Sequence, residues 1–173
     1  MVVVGLKIPE IPDERMNMIY SFLEYLLVKG NSSRMWNEIR EKRGLAYALR
    51  GGTSSNFQLG SYFSAFVETT PNRLKEVAEL MQECLLEPLS SHDDFEALQE
   101  WLHDWYTIGH ETNLDSWTGD IFHYFVHGRL MDAKDSFEED LTSIRSITLD
   151  EIEELRARIM QPERFVTVVL RPE

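Results

Sequence analysis

Gly44 separates a segment of helical periodicity from a segment of strand periodicity. This boundary constrains the fold more than any other part of the sequence. Residues 33–43 carry apolar side chains at helical spacing, behind a serine that can cap the first turn. Residues 45–49 instead alternate between two faces, as a strand does. Only glycine adopts the left-handed conformation without a Cβ penalty, so we expect a charged helix to end at Gly44 and a strand to follow.

The remaining periodicity predicts an α+β domain. Strands are expected at 2–8, 59–69 and 165–170, and the glycine- and serine-rich segment 51–56 is expected to be the turn of an antiparallel hairpin. Helical spacing predicts a helix at 13–27 that begins at an Asp13 cap, and further helices at 70–87, 91–108, 114–127 and 148–161. In the helix at 91–108 the inward-facing side chains are expected to be Phe95, Leu98, Trp101, Trp105 and Ile108. A short helical turn or connector is expected at 140–147. Strands at both ends and helices grouped later indicate a two-layer, mainly antiparallel β-sheet with helices packed on one face, formed by residues 1–173 as a single domain.

Charge and composition exclude several classes of protein. A net charge of -13 argues against nucleic-acid partners, because phosphate contacts need a basic surface. No apolar run approaches the length of a membrane span, and no signal peptide is visible, so we expect a cytoplasmic protein without membrane partners. The single cysteine, Cys84, lies in a helical apolar pattern and is expected to be a small core residue. The abrupt apolar start at Met1 favours a boundary inside a longer protein.

Histidines offer one candidate metal site. His123 and His127 are four residues apart on a predicted helix and share its polar face with Asp120, a geometry that could hold zinc. A solvated helix face is the favoured alternative. Neither His-Glu-x-x-His nor its inversion occurs, and Val126 stands where the inverted form needs a glutamate. A weaker pair lies seven residues apart on another helix, His103 and His110.

Arg40 and Tyr47 form the other candidate site. Arginine supplies a fixed fork of donors and tyrosine a polar tip on a rigid ring, which together suit an extended ligand rich in carbonyl groups. The structural alternative stays open: Arg40 would pair with Glu38 or Glu41, and Tyr47 would be an ordinary core residue of a strand.

In one continuous segment the identities of the residues are more informative than their periodicity. It reads Ser32-Ser33-Arg34 and, after four further residues, Ile39-Arg40-Glu41-Lys42-Arg43-Gly44-Leu45-Ala46-Tyr47. This resembles the motif S-R-L-x-x-x-I-R-E-K-x-G-L-A-Y, which opens the second, non-catalytic half of the pitrilysin/insulinase zinc metallopeptidases, the inverzincins. The departures are conservative, and the resemblance extends over the whole chain as one half-domain of a processing-peptidase-like protein with the LuxS/MPP-like fold.

The resemblance implies a function that this chain cannot complete alone. In the family, two homologous halves close like a clamshell around a peptide, and zinc is bound by His-x-x-Glu-His and a further glutamate in the first half. The resemblance therefore implies no metal ligands in this chain, a catalytic half-domain as partner and a peptide as substrate. It implies that Tyr47 donates to the developing oxyanion and that Arg40 holds substrate carbonyls or stabilises the same charge. We also expect Ser33 and Arg34 to lie at the substrate-binding surface.

Two functional hypotheses follow. In the first, the chain is the substrate-binding half of a zinc endopeptidase and is inactive alone. In the second, it is a purely structural or interaction subunit of the same family. Retention of both Arg40 and Tyr47 favours the first, because a subunit without a working chamber needs neither. Whether the chain is a fragment or a separate subunit stays open, as does the peptide specificity.

Overall fold

The structure, a computed structural model, describes residues 1–56, 60–112 and 133–171. Within the chain, contacts separate two compact units, one of residues 1–91 with 149–173 and the other of residues 92–148. The first unit contains the whole of the described sheet. The second contains two described helices.

The sheet of the first unit is four-stranded, and every neighbouring pair is antiparallel. Its strands are β1 (Val2–Lys7), β2 (Ala48–Asn56), β3 (Gly60–Glu68) and β4 (Val166–Val169). The spatial order is β2-β3-β1-β4, so β2 and β4 form the two edges. The predicted antiparallel α+β architecture is confirmed. Strand β3 pairs with β2 on one side and β1 on the other, so it has no free edge.

The two faces of the sheet differ in burial. Val2, Val4 and Leu6 of β1 alternate with more exposed neighbours and lie on the buried face. The register places Val4 beside Ala65 of β3, which is also fully buried, so the same face is apolar across strands. Helices cover this face, which gives the two layers expected from the sequence.

The described residues of the first unit form three α-helices: α1 (Glu14–Leu27), α2 (Leu74–Leu86) and α5 (Leu149–Ile159). Helix α1 packs against β2 and α5, and α2 packs on β1. Asp13 caps α1 as predicted, because its side chain accepts a hydrogen bond from the Met16 amide at 2.8 Å. Cys84 is buried in α2, as expected for a core residue.

The second unit contains α3 (His92–Thr112) and α4 (Ala133–Ser146), which pack together. The prediction that the apolar side chains of α3 all point inward is partly wrong. Trp101 and Trp105 are 45% and 55% exposed, while Phe95 and Leu102 are buried. The buried face of α3 is therefore narrower than the face that its apolar residues form.

The sequence also predicted too short a helix at the end of the second unit. A short helical turn or connector was expected at 140–147, but α4 begins at Ala133 and runs to Ser146. The predicted helix at 114–127 lies outside the described residues. Across the described part of the chain, no helix is both long and apolar enough to cross a membrane.

The structure also corrects the prediction for the glycine-rich segment of β2. Gly51 and Gly52 were expected in the hairpin turn, but both lie within β2 and pair with β3. A Cβ at Gly51 would lie 2.5 Å from the Ser64 carbonyl oxygen and 2.9 Å from the Ala65 Cα. Glycine is present here because two backbones approach closely, which local sequence cannot distinguish from a turn.

Candidate functional site

The segment before Gly44 is a π-helix, Trp36–Glu41. Its wider turn is visible where the Lys42 amide donates to the Asn37 carbonyl oxygen, five residues back, at 2.9 Å. Because the turn closes over five residues, the side chains four and five positions ahead both flank Trp36. Single π-turns occur frequently at functional sites.

Gly44 ends this helix as the sequence predicts. Its φ is 60°, in the left-handed region where a Cβ is penalised. The Gly44 amide donates to the Arg40 carbonyl oxygen and the Leu45 amide donates to the Ile39 carbonyl oxygen, each at 2.9 Å. These bonds satisfy carbonyl groups that the helix end leaves open and turn the chain toward β2.

Arg40 lies between an aromatic ring and a backbone carbonyl. Its guanidinium carbon is 4.3 Å from the centroid of the Trp36 ring, within the range of a cation–π contact. Its Nη1 donates to the Tyr47 carbonyl oxygen at 2.8 Å. Among the described residues its other guanidinium nitrogens have no partner. One guanidinium nitrogen of Arg40 is therefore hydrogen-bonded to the backbone, and the others have no partner among the described residues.

Tyr47 precedes the sheet and does not lie in a core strand. Its side chain is 71% exposed, and its hydroxyl makes no hydrogen bond within the described part of the chain. Its amide donates to the Glu68 carbonyl oxygen at 2.8 Å, which ties the backbone to the end of β3. The strand predicted from Leu45 begins only at Ala48, and Leu45 lies before it, buried at 8% exposure.

The expected structural alternative for Arg40 does not occur. Glu38 accepts instead from Lys42 and Arg43, and these hydrogen bonds hold the pKa of the Glu38 carboxyl below its usual range. Glu41 accepts from the Trp36 indole nitrogen at 2.9 Å. Both candidate carboxylates are thus engaged by other donors, which leaves the guanidinium of Arg40 without an acidic partner among the residues described.

The two residues that open the motif lie within the fold. The Ser33 side chain is fully buried and donates to the Gly30 carbonyl oxygen at 3.0 Å. Arg34 donates to the carbonyl oxygens of Cys84 at 3.0 Å and Pro88 at 2.8 Å, so it satisfies open carbonyl groups at the end of α2. Both side chains are occupied in the packing of the helices, and the substrate contacts proposed below rest on Arg40 and Tyr47.

Within the described residues, no group of three or more His, Cys, Asp or Glu side chains could hold a metal ion. Outside the described residues lies the cluster predicted from helical spacing, Asp120, His123 and His127. The side chain of His110 also lies outside them. His103 is described, and its Nε2 lies 3.2 Å from Nη2 of Arg145, a cationic neighbour that disfavours metal binding.

A family model described as the peptidase M16 inactive domain matches residues 1–100, a span that includes the π-helix, Gly44 and Tyr47. The chain belongs to this family. The M16 match confirms the predicted identity as the non-catalytic, C-terminal half of a peptidase of this type. No curated protein sequence matches the chain significantly.

Several solved structures share its fold. A protease from Helicobacter pylori is 18% identical, with a TM-score of 0.77 over 99% of this chain and 40% of that one. An M16 inactive domain from Pseudomonas fluorescens is 16% identical, with a TM-score of 0.78 over 99% and 42%. An inactive peptidase domain from Bordetella parapertussis is 15% identical, with a TM-score of 0.74 over 99% and 92%. The chain thus spans about two fifths of the first two proteins and nearly all of the third.

Sequence reasoning missed the contribution of Trp36 to this candidate site. It was read as part of an apolar helical stripe, yet its ring contacts Arg40 and its indole nitrogen donates to Glu41. An aromatic residue four positions before an arginine was a usable signal. The π-turn that also brings the Glu41 side chain beside the ring was not visible in the hydrophobic periodicity.

Proposed function

We propose that this chain is the substrate-binding, metal-free half of a zinc-dependent endopeptidase that degrades or processes peptides. Membership in the M16 inactive-domain family supports the proposal. The zinc would lie in a partner half that carries His-x-x-Glu-His, either on the same polypeptide or in a separate subunit. There it would activate the water that attacks the peptide carbonyl. This chain would supply donors for the substrate and would be inactive alone.

The hydrogen bond between Arg40 and Tyr47 is the observation that carries the proposal. Nη1 of Arg40 donates to the Tyr47 carbonyl oxygen at 2.8 Å, so the Arg40 side chain is linked directly to the backbone of Tyr47. The rest of the guanidinium has no partner among the described residues, and the Tyr47 ring is 71% exposed. Exposed donors on an ordered backbone are typical of a binding site rather than of a packed core.

The chemistry follows from these donors. When water attacks the scissile carbonyl, negative charge develops on its oxygen, and a donor fixed in advance stabilises that charge. We assign this donation to the Tyr47 hydroxyl. Arg40 can hold a neighbouring substrate carbonyl or contribute to the same charge, since its fork offers several N–H groups in one plane. Neither group needs to exchange a proton with the substrate.

Partners and location complete the proposal. The expected partners are the catalytic half-domain and a peptide, without nucleic acid or membrane, because the chain carries a net charge of -13. We propose a cytoplasmic location and a two-half clamshell in which this chain is the second half-domain. Cell fractionation with an antibody to the chain tests the location, and recovery in the periplasmic fraction would contradict it.

The decisive experiment compares wild type with Tyr47→Phe in a peptidase assembled from this chain and a half that carries His-x-x-Glu-His. On a fluorogenic peptide, loss of the hydroxyl is expected to lower kcat by about a hundredfold, the typical effect of removing one oxyanion donor. Tyr62→Phe is the matched control, because it removes the same group from a 36% exposed tyrosine of β3. Equal turnover in all three proteins would favour the alternative, an inactive structural or interaction subunit.

A further inference from the structure

Two contacts hold the Trp36 side chain, one at its indole nitrogen and one at its ring face. Its indole nitrogen donates to Oε1 of Glu41 at 2.9 Å, and its ring centroid lies 4.3 Å from the guanidinium carbon of Arg40. The π-helix explains this arrangement, since residues four and five positions ahead flank the same side chain. Trp36 is half-buried, so the backbone and the Glu41 bond hold its ring in one orientation.

The fixed ring restricts Arg40 in a way that the Tyr47 bond alone does not. A single hydrogen bond from Nη1 leaves the long arginine side chain free to rotate about that contact. A guanidinium that also lies over an aromatic face is confined to one plane, and it gains electrostatic attraction from the ring. Two contacts at different atoms therefore define both the position and the plane of the fork.

We propose that Trp36 is a positioning residue for Arg40: its ring orders the guanidinium before substrate arrives, so that the unpaired donors are aimed at the peptide. This inference rests on the proposed function of Arg40 in binding substrate, and it adds how that function is prepared. Side-chain ordering that is completed before binding lowers the entropy lost in the complex. Trp36 touches no substrate in this arrangement, and it acts only through Arg40.

The first test needs neither substrate nor partner. In the isolated chain, 15N relaxation of arginine Nε–Hε groups reports the order of each guanidinium, and the Arg40 signal is assigned by its loss in Arg40→Met. We expect the Arg40 signal to be rigid in wild type and in Trp36→Phe, which keeps an aromatic face. It becomes mobile in Trp36→Leu. An Arg40 signal of equal order in all three proteins would overturn the proposal.

The second test measures kcat and KM in the assembled peptidase with the catalytic half. Trp36→Leu is expected to lower kcat/KM by about tenfold, and Trp36→Phe to recover most of that loss, given the size of cation–π contacts. In the Arg40→Met background, Trp36→Leu should add nothing, because a residue that acts through Arg40 has no effect once Arg40 is gone. An equal loss in both backgrounds would show a general packing role and overturn the proposal.

The two tests separate the two claims. If Arg40→Met leaves turnover unchanged, the assigned function of Arg40 fails, while the relaxation data still decide whether Trp36 orders it. If Arg40→Met is impaired but Trp36→Leu leaves both the order of Arg40 and turnover at wild-type values, the positioning claim alone fails. Melting temperatures of all variants show whether any loss comes from unfolding.

Discussion

Arg40 donates from Nη1 to the Tyr47 carbonyl oxygen at 2.8 Å, seven residues along the chain. The left-handed Gly44 lies between them and reverses the chain direction, which brings the carbonyl back to the side chain. The turn at Gly44 therefore brings these two residues together, and the bond from the Tyr47 amide to the Glu68 carbonyl oxygen holds the carbonyl end of the pair against β3. Substitutions in this turn test the site most directly.

Arg40→Lys is expected to lower kcat/KM of the assembled peptidase by about tenfold, the cost of one charge-assisted hydrogen bond. A lysine ammonium is a point charge, and it cannot hold the Tyr47 carbonyl while presenting a planar fork to a ligand. Steady-state kinetics on a fluorogenic peptide measure the effect. Arg15→Lys is the matched control, since Arg15 pairs with Glu151 on another surface. Equal effects of the two changes would contradict the assigned role of Arg40.

Gly51→Ala is expected to lower the free energy of unfolding by about 3 kcal/mol, the upper range for overpacking. The added methyl group would lie 2.5 Å from the Ser64 carbonyl oxygen, a contact that only backbone movement can relieve. Urea denaturation measures the change. Ser54→Ala in the same strand is the control, because Ser54 is exposed. A turn at Gly51, as the sequence suggested, would instead tolerate alanine with little loss.

Glu153→Gln is expected to destabilise the fold at neutral pH by about 2 kcal/mol, since a carboxylate bonded to charged donors is lost. Burial acts to raise the pKa of Glu153, but bonds from Arg156 and the Leu89 amide outweigh it, and the pKa lies below its usual value. A depressed pKa gives stability that is present above the unfolded pKa and is lost as pH falls through the folded pKa. The difference between variant and wild type should therefore shrink in acid.

Urea melts at several pH values measure this trend. Glu154→Gln is the matched control, because Glu154 is the exposed neighbour on the same helix. A stability difference that stays constant down to acid pH would contradict the assignment of the stabilisation to the ionised carboxyl of Glu153.

Cys84 is expected to react slowly with a thiol dye in the native protein and rapidly in denaturant. The side chain is 2% exposed, and burial raises the pKa of its thiol to about 11, so little reactive thiolate exists at pH 8. Labelling followed by mass spectrometry measures the rates. Fast labelling of the native protein would show that α2 opens locally. In that case the rate in Arg34→Met, which lacks the contacts to the end of α2, should be faster still.

Local rules predicted much of this fold, and their failures share one cause. The Asp13 cap, the stop at Gly44 and the start of α5 follow from near neighbours in the chain, and all three were correct. Gly51 was misplaced because the same residue type serves tight turns and close backbone contacts. Trp101 was misplaced because helical spacing shows a face but not what covers it.

The sequence by itself determined the family, the antiparallel α+β architecture and the pair Arg40 and Tyr47 as the candidate site, because each depends on residue types at short spacing. Only the tertiary structure decided which contacts these residues make. From the sequence, Glu38 and Glu41 were both plausible partners of Arg40. In the structure the π-turn places Glu41 where it accepts a hydrogen bond from Trp36, and Glu38 accepts one from Lys42. Arg40 is thereby left to the Tyr47 carbonyl, since competition between neighbouring donors is settled by backbone geometry that periodicity does not record.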